Sequence, residues 1–371
     1  MPELPEVERA AKVLRDMAKG KRIESVETFE DAIVFSGTTH EGFKNAVIGR
    51  VVADAQRYGK VLYMTLGGKG KHPVLHFGMT GVLQVRGNAP TYYRENGRKK
   101  ANVDEWPPRF TKFVLRLVPV DATEASSSAN SLTAVGDSPS PTEIAFLDPR
   151  RLARIRLCSS PLTEAPISEL GFDPILSMPP LETFAAAVHK RSCPIKALLL
   201  DQSFSAGVGN WVADEILYHA RVHPEQRCNT LSNEQIKEIY EKTIYVPRTA
   251  VDVNADDSLF PDNWLFKHRW GKGKKKGNSD VPLLLPSGEA ATIKWVTVGG
   301  RTSAFVVELQ FMRKKGQANL ESAEVEDDAG NESDLTPLEE SSGESSKPAS
   351  TRVSPRKRKA CLVLTSQARL H

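Results

Sequence analysis

The residues best equipped for chemistry stand at the start of the chain: Met1-Pro2-Glu3-Leu4-Pro5-Glu6. Loss of Met1 would make Pro2 the amino terminus. A prolyl amine is secondary, nucleophilic and less basic than a lysine amine. An α-amino group titrates near ~8, so much of it is neutral at cell pH. A neutral amine can attack an electrophilic sugar carbon and form an iminium, the covalent route that lysines use elsewhere. Glu3 is next in the chain and could move the protons. Glu6 follows three residues later, at the start of a helical pattern. The same stretch also reads as a plain helix start, with proline near the first turn and acids at the positive helix end.

Other segments carry weaker signals of the same kind. Lys60 sits in Arg57-Tyr58-Gly59-Lys60, just before a strand pattern. It could contact phosphate or sugar, or could simply snorkel between apolar neighbours. His76-Phe77-Gly78-Met79-Thr80-Gly81 is a tight turn whose methionine could enter a base stack, although methionine is more often core filler. Asp148-Pro149-Arg150-Arg151-Leu152 is a basic turn. Gln202 to Asn210 is a glycine-rich turn opening a helix, where the backbone can approach a partner and the helix end favours phosphate. No strand precedes it and no GxGxxG completes it, which argues against a dinucleotide fold. Lys196 lies one helix upstream and could face the same phosphate.

These residues need a scaffold. The chain has 371 residues and 40% hydrophobic content, enough for two domains and a core. It has neither an apolar run long enough for a transmembrane helix nor a signal-peptide pattern. Cys158, Cys193, Cys228 and Cys361 form no CxxC pair, which argues against a cysteine zinc site and a disulfide framework. The formal charge of +4 is uneven: residues 321–371 hold ten acids and seven bases, leaving +7 on the rest. A basic body suits a polyanionic partner. Val7, Ala10, Ala11, Leu14 and Met17 share one helical face over 5–19. Residues 22–86 read as strands (IESVETF, AIVFSG, VIGRVVADAQRYG, KVLYMTL, PVLHFGMTGVLQV), continued at 111–118 and 143–147. The expected fold is α+β. Residues 1–160 form an N-terminal β-sandwich with its helix, interrupted at 121–142 by a disordered Ser/Thr/Pro-rich insertion. Helices are expected over 181–202, 211–222 and 232–252.

Taken together, the chain resembles the formamidopyrimidine-DNA glycosylase and endonuclease VIII family. The likeness spans roughly 2–313 and rests on ordered motifs: PELPEVE, the lysine before KVLYMTL, HFGMTG, LDPRRL, PIK, GVGNWVADEIL, HP and GGRTSA. It implies a helix-two-turn-helix domain over 161–252 and a β-hairpin finger within 253–316. It implies that Pro2 is the nucleophile and Glu3 the proton carrier, with Lys60 on the lesion's phosphate or sugar. Met79 and Arg150 would fill the hole left by a flipped base. Asn210 would bind backbone phosphate with Lys196 in support, and Arg301 would hold the flanking phosphates. Glu6 and Glu215 would be structural, Glu215 tying the second domain to the first. The implied partner is double-stranded DNA with oxidised or abasic sites, bound by a monomer. No cofactor is implied, because the iminium is itself the electron sink.

Two departures stand out. The family's usual finger has four zinc-binding cysteines, whereas residues 264–310 have none and His268 alone cannot replace them. IKWVTVGGRTSAFVVELQ still reads as a hairpin, similar to the zincless finger of plant and fungal members. Leu152 stands where bacterial purine-acting enzymes have phenylalanine, which puts the wedge on the opposite base in doubt. Substrate choice is expected to depend on the loop around 252–263. The expected activity is excision of an oxidised base, purines foremost, followed by strand cleavage. An oxidised-pyrimidine enzyme of the same fold and a non-catalytic lesion binder are the alternatives. Residues 317–371 are expected to be disordered. Pro2 directly after Met1 leaves no room for a presequence, so the basic run at 355–359 is the expected nuclear address.

Overall fold

A computed structural model of the chain describes residues 2–90, 105–120, 141–270 and 281–312. Most of the expected insertion, the lysine-rich loop at 271–278, the tail and its basic run lie outside those residues. The described residues all belong to one compact unit.

The first half is a sandwich of two four-stranded antiparallel sheets. One sheet has the order β1-β6-β7-β5, from β1 (Lys21–Thr28), β6 (Thr111–Pro119), β7 (Thr142–Leu147) and β5 (Val82–Val85). The other runs β2-β3-β4-β8, from β2 (Val52–Tyr58), β3 (Val61–Leu66), β4 (His72–His76) and β8 (Arg154–Cys158). Helix α1 (Leu4–Ala18) adds Leu4, Val7, Ala11, Leu14 and Ala18, all buried at helical spacing. Met17 falls off that face and stays exposed, because the buried stripe continues through Ala18. Between the sheets Phe113 stacks on Phe146, with ring centroids 5.6 Å apart, and Phe43 and Phe77 pack against this pair.

Two expected strand regions differ. AIVFSG is a turn held by Asp31; it bridges from Phe35 to Ile155 and buries Val34 and Phe35 in the core. After it comes helix α2 (His40–Val47), capped by Thr39 and buried through Phe43 and Val47. Eight residues are too few for a helix to persist on propensity alone. Burial of Phe43 and Val47 fixes it, between two segments expected as strands.

The second half is helical: α3 (Leu181–His189), α4 (Ile195–Leu200), α5 (Asn210–His219) and α6 (Asn233–Asp252). The single helix expected over 181–202 is two, since Pro194 disfavours helical backbone at Cys193 and starts a new helix. Trp211, Phe184, Phe260 and Trp264 anchor this core. The segment at 252–263 is part of it, with Phe260 packed on Trp211 and Phe266. A hairpin of β9 (Ile293–Val298) and β10 (Arg301–Val306) turns at Gly299-Gly300, where φ is +58° and +70°. Such a turn needs left-handed backbone at both central residues, which glycine supplies without strain.

Candidate active site and nucleic-acid interface

Glu3 is where the two halves meet. Its carboxylate accepts hydrogen bonds from the N–H groups of Trp211 and Val212, each at 3.1 Å. Those are free donors in the first turn of α5, so the carboxylate caps a helix more than 200 residues away. The glycine-rich turn therefore receives Glu3 at its helix end. A Cβ on Gly209 would lie 2.2 Å from the Glu3 carboxyl carbon. At Gly207, φ is +96°, and its carbonyl accepts from Leu4 N–H at 3.1 Å. The chain just after Pro2 is thus fixed from both sides, and Pro2 itself is half-buried.

Glu6 completes this knot. Its Oε2 accepts from Glu3 N–H at 2.8 Å. Burial, and then the charge of Glu3, push its pKa up to about 7. A carboxyl that can hold a proton near neutrality thus stands beside the residue expected to move one. Its sequence role was structural only.

Lys60 lies in the same place. Its Nζ donates to Val208 O at 2.9 Å, inside the glycine-rich turn. Burial pushes its pKa below the ordinary lysine value, while the charges of Glu3 and Glu6 oppose that shift and Arg301 adds to it. His76, which sequence reasoning left without a role, is part of the cluster. It pairs across the sheet with Val61, next to Lys60. Burial first, then Lys60, Arg156 and Arg154, push its pKa down to about 4. His76 Nδ1 accepts from Gly78 N–H at 3.2 Å, which assigns the proton to Nε2 as a free donor.

Asn210 and Arg301 come together at the finger. Asn210 Nδ2 donates to Thr302 O at 2.9 Å, and Arg301 is the exposed neighbour of that residue. Lys196, expected to support a phosphate contact, is fully buried and ion-paired with Asp214. Asp214 also holds Arg269 and accepts from Ala304 N–H at 3.2 Å. Lys196 therefore braces the joint between α4, α5 and the hairpin. Asp214 is four residues after Asn210 on α5, and its spacing gave no sign of this hub.

Glu215 is buried, and its Oε1 accepts from Leu265 N–H at 3.0 Å, with His219 Nε2 3.1 Å away. All these partners belong to the second half, so Glu215 does not tie the halves together. That is done by Glu3 and by a buried ion pair of Arg57 with Asp173, whose Oδ2 also accepts from Gly59 N–H at 2.8 Å.

The two expected wedge turns are clasped. Asp148 is fully buried; its carboxylate accepts from Thr80 Oγ1 at 2.7 Å, Arg150 N–H at 3.2 Å and Ala153 N–H at 2.7 Å. A Cβ on Gly78 would strike the Leu152 backbone at 2.4 Å. Met79 is left half-buried, and Arg150 and Leu152 are exposed. Arg151 is tied down instead, with two hydrogen bonds to Asp31.

Residues 1–155 match the formamidopyrimidine-DNA glycosylase N-terminal domain, and residues 170–261 match the formamidopyrimidine-DNA glycosylase H2TH domain. A formamidopyrimidine-DNA glycosylase of Arabidopsis thaliana is 36% identical over 310 residues, covering 84% of this chain and 71% of the relative. One from Listeria monocytogenes is 29% identical over 314 residues, covering 84% and 100%. The Lactococcus lactis enzyme in complex with Fapy-dG-containing DNA superposes with a TM-score of 0.61 at 21% identity, over 83% of this chain and 99% of that one. The same enzyme bound to abasic-site DNA gives 0.59. By both domains and by this identity over most of its length, the chain belongs to the formamidopyrimidine-DNA glycosylase family of DNA-repair enzymes.

Proposed function

We propose that the protein is a bifunctional DNA glycosylase and abasic-site lyase that removes oxidised bases from duplex DNA, oxidised purines foremost. The observation that carries this reading is the convergence of Glu3, which directly follows Pro2, with Glu6 and Lys60 at the turn that opens α5. A base inside a duplex must be flipped out before it can be attacked, at a cost of a few kcal/mol. Met79 and Arg150, on two turns locked by Asp148, occupy the gap. With Met1 removed, the Pro2 amine attacks C1′, and the bond from C1′ to the base nitrogen breaks. The pair Glu3 and Glu6 supplies and takes up protons, since Glu6 holds one up to about pH 7. The iminium at C1′ acidifies the sugar, and β- then δ-elimination cleaves the strand on either side. Lys60, Asn210 and Arg301 line the path of the phosphates, and His76 Nε2 adds a neutral donor. Solved relatives that hold Fapy-dG and abasic DNA support the same substrate class.

The finger works without zinc in this reading. Residues 264–310 hold no cysteine. The hairpin instead packs Ala304, Val306 and Trp295 on Tyr218, Leu265 and Leu283.

Borohydride reduction on an abasic duplex tests the chemistry. An adduct on a peptide beginning at Pro2, abolished by an N-terminal tag, is the expected result. No adduct from Met1-free protein, or one that persists with the tag, would overturn the lyase assignment.

A further inference from the structure

Leu152 is exposed on the wedge turn but has no aromatic face to offer a base. An exposed aromatic residue is tied to the start of the same turn, through the backbone of Asp148. Phe110 is 52% exposed, directly before β6. In the register of β6 with β7, Thr111 faces Leu147, and Phe110 O accepts from Asp148 N–H at 3.1 Å. The same Asp148 whose side chain fixes Thr80, Arg150 and Ala153 thus holds Phe110 through its backbone.

Two further features set Phe110 apart. Its φ is +67°, a left-handed conformation that a bulky residue adopts at a cost and that gathers at functional sites. The exposed Arg109 guanidinium lies 5.1 Å from the ring centroid, so a cation accompanies the aromatic face. An exposed ring, a strained backbone and an adjacent cation on the rim of an interface for a polyanion form a stacking platform. Base–aromatic stacking accepts any base, since each has a π face.

We propose that Phe110, with Arg109, stacks on a base of the strand opposite the lesion, in the role that Leu152 cannot fill. This rests on the DNA-glycosylase reading above. The orphaned base, its partner extruded, exposes the flat face that such a ring needs. Phe110 is therefore a residue that recognises the gap and bears on preference for the opposite base.

The test uses the full chain and a duplex carrying a tetrahydrofuran abasic analogue with 2-aminopurine opposite. Phe110→Ala should weaken binding by about tenfold, the scale of one lost base stack. Affinity for undamaged duplex should not change. Phe110→Tyr should restore binding to within about twofold, and 2-aminopurine fluorescence should be quenched by wild type and the tyrosine variant but not by the alanine variant. Phe110→Gly should raise the melting temperature by relieving the left-handed strain and still lose lesion binding, which separates packing from stacking. Unchanged affinity in Phe110→Ala, an equal loss on undamaged duplex, or no rescue by tyrosine overturns the proposal. Borohydride trapping of wild type on an abasic duplex of the same sequence reports the lyase separately. A missing adduct with the Phe110→Ala effect intact removes the lyase reading and leaves Phe110 standing.

Discussion

Glu3 and Glu6 are two carboxyl groups held by different partners, and burial raises the second of them. Glu3 is held by two backbone donors of α5, and Glu6 is raised from 4.5 to about 7. The sign of the linkage follows. The folded state keeps Glu6 protonated between pH 4.5 and about 7 while the unfolded chain releases that proton, so stability falls as pH rises through this window. The full effect is of order 3 kcal/mol above pH 7, at 1.36 kcal/mol per unit. Glu6→Gln keeps an acceptor for Glu3 N–H and removes the titration. It should melt several degrees above wild type at pH 8 and level with it at pH 5. A difference that does not vary with pH would show that Glu6 does not titrate there. Trapping on abasic DNA should also lose its dependence on a group near pH 7 in this variant.

At the scale of elements, α5 and the hairpin are organised by one carboxylate. Asp214 binds Lys196, Arg269 and Ala304 N–H with no exposure of its own ion-pair partner Lys196. The Gly299 turn lies on α4 at the van der Waals limit, since a Cβ there would meet Ala197 at 3.4 Å. Asp214→Asn leaves two cations in a buried site with one charge partner removed, which costs about 3–5 kcal/mol. The lowered melting temperature should be accompanied by faster hydrogen exchange across β9 and β10. A chelator should change neither the melting temperature nor strand cleavage of the wild type. Cleavage that stops with chelator would show that the finger is built on a metal.

For the molecule as a whole, the candidate site is assembled where the halves join. Lys60 follows Gly59, whose N–H is held by Asp173, and Arg57 links Asp173 to Glu8 of α1 at 2.9 Å. One buried network thus positions Lys60 and α1 together. Asp173→Asn leaves buried Arg57 with Glu8 as its carboxylate partner; it should lower the melting temperature and slow adduct formation under conditions where the protein is still folded. Ser177→Ala removes no charge, only the hydroxyl that accepts from Asp173 N–H and meets Tyr58 Oη at 2.8 Å at the rim of the network. It should cost about 1 kcal/mol and leave trapping unchanged. Equal kinetic effects of the two substitutions would refute the positioning role.

Much of this was legible in residues alone. MPELPE, DPRR and GVGNWVADE carry their chemistry in consecutive positions, and α1 follows from apolar spacing over four turns. The hairpin was readable because Gly299-Gly300 dictates its turn. Other features depend on partners far away in sequence, on which local pattern is silent. The anion met by the glycine-rich helix start is Glu3, across two hundred residues. Lys196 looked available for phosphate until Asp214 enclosed it. Helix α2 exists because Phe43 and Val47 have a core to enter, and eight residues have no stability of their own. Phe110 sits in an unremarkable stretch of sequence, and only the pairing of β6 with β7 ties it to Asp148, at the start of the basic turn. The sequence by itself determined which groups the protein has for its chemistry. Tertiary structure decided which of them are buried in pairs and which stay exposed, because burial and pairing depend on the whole chain.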